Sequence, residues 1–191
     1  AKNIVKNMEP PFSFEQSKLK LGAGGSGAVF LGRSSQDHNH LVAIKRRFIK
    51  MNSHTCSESQ CPEDESEHAV MRRCCAHPNT MAVLAAVSYK DATHFAMDLM
   101  RSDLSHEIKK GARFTTPQVA FIIHELLQAV VHLHNTCGLI HRDIKPSNIL
   151  LDPTAANAGG VRVVLGDFGV AHYDTDVSRP AINFRGTRMF H

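Results

Sequence analysis

Residues 139–151 read Leu-Ile-His-Arg-Asp-Ile-Lys-Pro-Ser-Asn-Ile-Leu-Leu. Two apolar runs flank a short polar loop that carries a carboxylate, an ammonium and a side-chain amide: Asp143, Lys145 and Asn148. Phosphoryl transfer asks for this set. A carboxylate orients the attacking hydroxyl, a cation steadies the moving phosphoryl group, and an amide oxygen holds a magnesium ion.

The flanks give this loop a setting. Upstream, Thr116-Pro117 reads as a helix start, with threonine as N-cap and proline at the first helical position. Val119, Ile122, Ile123, Leu126, Leu127, Val130 and Leu133 follow at helical spacing and predict a long core helix. Gly138 stands where that helix should stop. Downstream, Asp152–Gly160 reads as a turn-rich insert, Val161–Leu165 as a strand, and the chain from Tyr173 onward as loop.

The first half has another texture. Residues 1–13 form a polar lead-in with Pro10-Pro11. From Phe14 to Val42 the pattern is strand, glycine turn, strand, polar loop, strand. Residues 50–66 are a polar stretch, 67–76 a predicted helix, and Met81–Val87 and His94–Met100 two more strands around a turn at Lys90-Asp91. A β-rich first half before a helical second half predicts an α+β chain in two lobes, 14–100 and 101–191, hinged near Asp98–Arg101.

Three further motifs bear chemistry. Gly22-Ala23-Gly24-Gly25-Ser26-Gly27-Ala28-Val29 fits G-x-G-x-x-G-x-V, whose glycines let backbone amides approach phosphates. A plain hairpin is the simpler alternative. A dinucleotide site needs a helix next, and here Val29-Phe30-Leu31 continues as strand. Val42-Ala43-Ile44-Lys45 ends a buried strand on a lysine, which there needs an anionic partner, although alternation alone permits it to snorkel outward. Asp167-Phe168-Gly169 puts a carboxylate just past a strand, where it can chelate a cation bridging phosphates.

Taken in order, these motifs resemble the eukaryotic protein kinases, over residues 14–191. The loop matches H-R-D-x-x-x-x-N in full. The resemblance implies a kinase-like two-lobed fold and transfer of the γ-phosphoryl of ATP, with Mg2+, to protein serine or threonine. It implies that Asp143 is the base, that Asn148 and Asp167 bind Mg2+, and that Lys145 steadies the phosphoryl group. Lys45, paired with a helix glutamate, anchors ATP, and residues 22–27 cover its phosphates. Val29, Ala43 and Leu150 sandwich the adenine, while His141, Phe168 and Met71 stack in a spine. Met97-Asp98-Leu99-Met100-Arg101-Ser102-Asp103-Leu104 resembles the hinge of mitogen-activated protein kinases. That places Met97 as gatekeeper, Asp98 and Met100 as backbone partners of adenine, and Asp103 near the ribose. Gly186-Thr187 resembles the serine/threonine type, with Thr187 contacting Asp143 and Lys145. For the glutamate, Glu67 is chosen over Glu65 because Glu67-His-Ala-Val-Met-Arg-Arg-Cys-Cys-Ala-His-Pro-Asn resembles the kinase helix and its turn.

There are departures. Ile182 and Phe184 stand where mitogen-activated kinases carry Thr-x-Tyr, and Tyr173, Thr175 and Ser178 are the remaining acceptors. An Ala-Pro-Glu segment is expected after His191 and an upstream segment before Ala1. The 191-residue piece alone is expected to be poorly soluble or inactive. A pseudokinase scaffold and a small-molecule phosphotransferase stay as rivals. The first is opposed by intact Lys45, Asp143, Asn148 and Asp167, and the second by Arg142 and Lys145-Pro146.

Composition narrows the partners. A net charge of +4 without a long basic run gives no reason to expect nucleic acid, and Arg46-Arg47 and Lys109-Lys110 read as solvated pairs. No apolar stretch approaches the ~20 residues of a membrane helix. The five cysteines, Cys56, Cys61, Cys74, Cys75 and Cys137, form no disulfide framework. His54, Cys56, Cys61 and His68 match no standard zinc spacing. The expected partners are protein substrates, with an upstream activator or regulatory subunit left open. The expected location is the cytoplasm, with the nucleus also open.

Overall fold

The structure is a computed structural model that describes residues 14–24, 27–48, 67–74, 77–89, 92–153 and 160–173. Its chain divides into two compact units. The first holds the described residues up to His68 together with Ala82–Leu99, and the second holds Ala69–Met81 and the described residues from Met100 onward.

In the first unit, β1 (Phe14–Gly24), β2 (Gly27–Ser34), β3 (Leu41–Phe48), β4 (Val83–Tyr89) and β5 (Ala92–Asp98) form one antiparallel sheet in the order β1-β2-β3-β5-β4. Strand alternation sorts the residues to two faces. Phe14, Val42, Ile44, Ala85 and Ala96 close a hydrophobic cluster. The alternate residues Ala43 and Lys45 point the other way, with Leu31 and Val29 opposite them on β2 and Met97 and Phe95 opposite them on β5. Gly32 is required by packing, since a Cβ there would lie 2.2 Å from Ile44 Cδ1. The strands β4 and β5 each begin two residues away from the sequence expectation. Met81 turns aside because its N–H donates to Leu165 O at 3.0 Å.

Helix α1 (Glu67–Cys74) begins in the first unit and runs into the second. The second unit then contains β6 (Ser102–Asp103), α2 (Leu104–Lys109), α3 (Thr116–Asn135), β7 (Leu139–Ile140), a 3-10 turn at Pro146–Asn148, β8 (Ile149–Asp152), β9 (Arg162–Leu165) and β10 (His172–Tyr173). Strands β6, β8 and β9 form one small sheet, and β7 pairs with β10. Ile122 of α3 packs with Ile149, Leu151 and Val163.

One reading of α3 needs correction. Its N-cap is Thr115, one residue before the expected Thr116, and Gln118 reaches back to the Thr115 N–H at 2.9 Å. The apolar stripe is also wider than the core it meets. Ile122, Ala129 and Leu133 are buried, whereas Val119, Ile123 and Leu127 are about half exposed, at 46%, 48% and 54%. Gly138 ends the turn after the helix with φ of 61°. No described helix is long and apolar enough to cross a membrane.

Candidate active site

The first unit brings the lysine and its glutamate together. Lys45 Nζ donates to Glu67 Oε1 at 2.5 Å, and the two side chains are only 8% and 1% exposed. Burial on this scale is tolerable because each charge answers the other. The ammonium also lies 5.8 Å from the centre of the Phe95 ring. Glu67 has a second cation, Arg47, whose Nη1 stands 3.5 Å from Oε2. Arg47, read from the sequence as a solvated charge, is 40% exposed and also reaches Glu67. It follows Lys45 by two residues, so it projects from the same face of β3. Val29, Ala43 and Met97 share that face, each next to Lys45 or to one another in the strand register.

The glycines divide into two kinds. A Cβ on Gly22 or Gly24 would meet nothing within 4 Å, so their missing side chains leave room above the strand. Gly27 is held instead by its own fold: its φ is +129°, and a Cβ would come within 2.3 Å of Arg46 O. The open backbone at Gly22, Ala23 and Gly24 fits a phosphate chain laid over it.

In the second unit the loop that follows β7 folds around Asp143. Lys145 Nζ donates to Asp143 Oδ2 at 2.8 Å. Asn148 Nδ2 donates to Asp143 O at 2.8 Å and to Oδ2 at 3.1 Å. With its amide nitrogen turned to Asp143, Asn148 has Oδ1 left to meet a cation. Asn148 is itself buried, at the end of the 3-10 turn.

His141 fixes the approach to this loop. Asp143 N donates to His141 Nδ1 at 3.3 Å, so Nδ1 is the acceptor and Nε2 carries the proton that faces Gly166 O at 3.0 Å. Burial holds the imidazole below its usual pKa, against the opposing pull of the Gly166 carbonyl and of Asp167 and Asp143. Its ring meets Phe168 edge-on, centroids 5.0 Å apart. Met71 is fully buried as well.

Asp167 follows β9 in a left-handed conformation, φ 62°, and Arg142 shares this feature at φ 64°. Non-glycine residues accept this backbone at a cost of about 1–2 kcal/mol, and such strain concentrates at working sites. Arg142 Nε donates to Val170 O at 2.7 Å, tying the loop to the segment after Asp167-Phe168-Gly169. Gly166 N donates to Asn148 O at 2.9 Å, which brings the two oxygen-bearing residues Asn148 and Asp167 to one place. An amide oxygen and a carboxylate are hard donors that suit a divalent cation. Among the described residues no three histidine, cysteine, aspartate or glutamate side chains could hold a metal ion by themselves.

The remaining expectations are placed unevenly. Asp103 and Leu150 are cross-strand partners of β6 and β8. Asp103 Oδ1 accepts from His106 N at 2.8 Å, so the residue expected near the ribose is also the N-cap of α2, a helix the sequence reading missed. Asp98 ends β5, and Met100 opens the second unit. Gly25, Ser26 and Thr187 lie outside the described residues, as do His54, Cys56, Cys61, Thr175 and Ser178.

The family model described as the protein kinase domain matches residues 15–191. The chain belongs to the protein kinase family. It is 31% identical over 168 residues to mitogen-activated protein kinase kinase kinase 3 of Arabidopsis thaliana, covering 87% of this chain and 24% of that one. It is 32% identical over 186 residues to ribosomal protein S6 kinase 2 alpha of Gallus gallus, covering 93% and 22%. It is 31% identical over 151 residues to the serine/threonine-protein kinase PknJ of Mycobacterium tuberculosis, covering 79% and 24%. The kinase chain thus spans about a quarter of the length of the curated relatives it matches. Family membership carries with it the use of ATP and a divalent metal in general.

Proposed function

We propose that this protein kinase domain transfers the γ-phosphoryl group of ATP to serine and threonine hydroxyls of protein substrates, with Mg2+ as its metal. The observation that carries the reading is Asp143, a carboxylate held at one oxygen by Lys145 at 2.8 Å and by Asn148 at 3.1 Å. A carboxylate so fixed is oriented to take a proton without having to reorganise.

On this reading Asp143 accepts the proton of the substrate hydroxyl. The hydroxyl oxygen forms its bond to the γ-phosphorus. The bond from that phosphorus to the β–γ bridging oxygen breaks, and ADP leaves with the electron pair. Lys145 opposes the negative charge on the moving group. Lys45, aimed by Glu67, holds the inner phosphates, and the open backbone of Gly22 to Gly24 lies over them. Asn148 and Asp167 would hold Mg2+, which would supply neutralisation of the phosphate charge. Residues 14–100 then serve as the nucleotide-holding lobe and 101–191 as the catalytic lobe.

The experiment is to incubate the full-length protein with γ-labelled Mg-ATP and a generic basic protein, and then identify the labelled residues. Label on serine or threonine is the expected result. Label on tyrosine, or transfer to an aminoglycoside or choline in place of protein, would overturn the assignment.

A further inference from the structure

The catalytic carboxylates do not exhaust the acidic groups that bear on this site. Glu125 sits on α3 with a side chain 19% exposed, well away in sequence from every motif above. Its Oε2 accepts from Asn79 Nδ2 at 2.7 Å, and the same nitrogen donates to Val163 O at 2.9 Å. An amide nitrogen has two hydrogens, and here each has an acceptor. A carboxylate and a backbone carbonyl can only accept, so Glu125 and the Val163 carbonyl together fix which end of the Asn79 amide faces them. Were the amide turned over, its oxygen would confront the Val163 carbonyl.

The backbone around Asn79 repeats the attachment. Leu165 N donates to Asn79 O at 2.8 Å, Met81 N donates to Leu165 O at 3.0 Å, and Thr80 bridges Leu165 in parallel register. Thr80 Oγ1 in turn donates to Cys74 O at 2.5 Å, at the end of α1. One side of β9 is therefore gripped at residues 163 and 165. Two residues later the chain enters the left-handed turn at Asp167. Gly166 is held from the other side by Asn148 and His141.

We propose that Glu125 is a positioning residue for Asp167: by orienting Asn79 it sets the end of β9, and so the place of the carboxylate that meets the metal–nucleotide. A solvated glutamate next to His124, whose Nδ1 lies 3.3 Å from Oε1, is the plainer account of the same residue. It gives no reason for the carboxylate to be mostly buried against a buried asparagine. The inference rests on the functional reading above only in taking Asp167 as a metal ligand.

The test measures ADP affinity with and without Mg2+, beside transfer, in Glu125→Ala and Glu125→Gln. Leu133→Ala serves as a control that loses core packing on the same helix. Loss of a group that orients a metal ligand lowers metal affinity by about 10–100-fold. Glu125→Ala is expected to lose at least about tenfold of the Mg2+-dependent gain in ADP affinity, with metal-free affinity unchanged. Glu125→Gln keeps an acceptor oxygen and should retain most of that gain. Leu133→Ala should melt earlier with the gain intact. An unchanged gain in Glu125→Ala, an equal loss in Leu133→Ala, or a wild type whose ADP affinity ignores Mg2+ would each overturn the proposal. A wild type that shows the gain but no transfer would defeat the transfer reading and leave this one standing.

Discussion

Gly24 and Gly27 look alike in the sequence, and the structure assigns them opposite costs on substitution. Gly27→Ala puts a methyl group 2.3 Å from the Arg46 carbonyl oxygen, at a φ of +129° that side chains rarely adopt. Backbone strain of this sort is worth about 1–3 kcal/mol, and overpacking against an unyielding neighbour about 1–3 kcal/mol more. Taking about 3 kcal/mol in all, a domain of this size should melt roughly 6–12 °C lower. Gly24→Ala meets nothing within 4 Å. Its effect on folding should stay within about 1 kcal/mol and can be favourable, since alanine restricts the unfolded chain. On the proposed reading the added methyl takes up room left for the phosphates, so ATP affinity should fall by about tenfold, or 1.4 kcal/mol. Thermal melts and nucleotide titrations of both variants separate these effects. Equal destabilisation by the two substitutions would refute the reasoning, and so would a Gly24→Ala protein that binds ATP as the wild type does.

Other outcomes follow from the same site. Glu67→Ala leaves Lys45 buried without its carboxylate and should cost about 3–5 kcal/mol in denaturant unfolding, with transfer falling as well; a loss under about 1 kcal/mol would contradict the burial of the pair. Burial also holds His77 below its ordinary pKa, aided by His132 and opposed by Glu125, and His141 shifts the same way. In both cases the unfolded chain takes up the proton first. Their contribution to stability is then full above about pH 6.5 and declines as pH falls through that value toward the lower folded ones. Denaturation midpoints compared at pH 7.5 and 5.5 should show a smaller fall in His77→Gln than in the wild type; an equal or larger fall would count against this. Stripping divalent cations with a chelator should abolish transfer and weaken ATP binding, and restored Mg2+ should recover both; transfer that persists in chelator would exclude the roles given to Asn148 and Asp167.

Legibility in the sequence followed range. Asp143, Lys145 and Asn148 lie on one loop, so their meeting could be expected before any fold was known. The strand carrying Lys45 and the turn carrying Asp167 were legible for the same reason, each being a local pattern at a strand end. The Lys45–Glu67 pairing was reached only through resemblance to a family, because the two lie 22 positions apart and no local pattern encodes the contact. Arg47 was missed although alternation from Lys45 pointed to the same face. The spacing of apolar residues on α3 predicted the helix but not how much of its circumference is covered, which depends on what packs against it. Helix α2 has only six residues, too few for a period to show, and its cap was read as a ligand. The junction of Asn79, Glu125 and Val163 spans three distant segments and leaves no local trace at all.

The measurement that bears most directly on the central claim sets the wild type beside Asp143→Asn, with ATP binding and Mg2+-dependent phosphate transfer to protein serine and threonine followed in parallel. Both proteins should bind ATP, and transfer should fall by about 10²–10⁴-fold in the variant, the usual worth of a positioned base. A wild type that binds ATP and transfers nothing, or a variant that transfers as well as the wild type, would contradict the account.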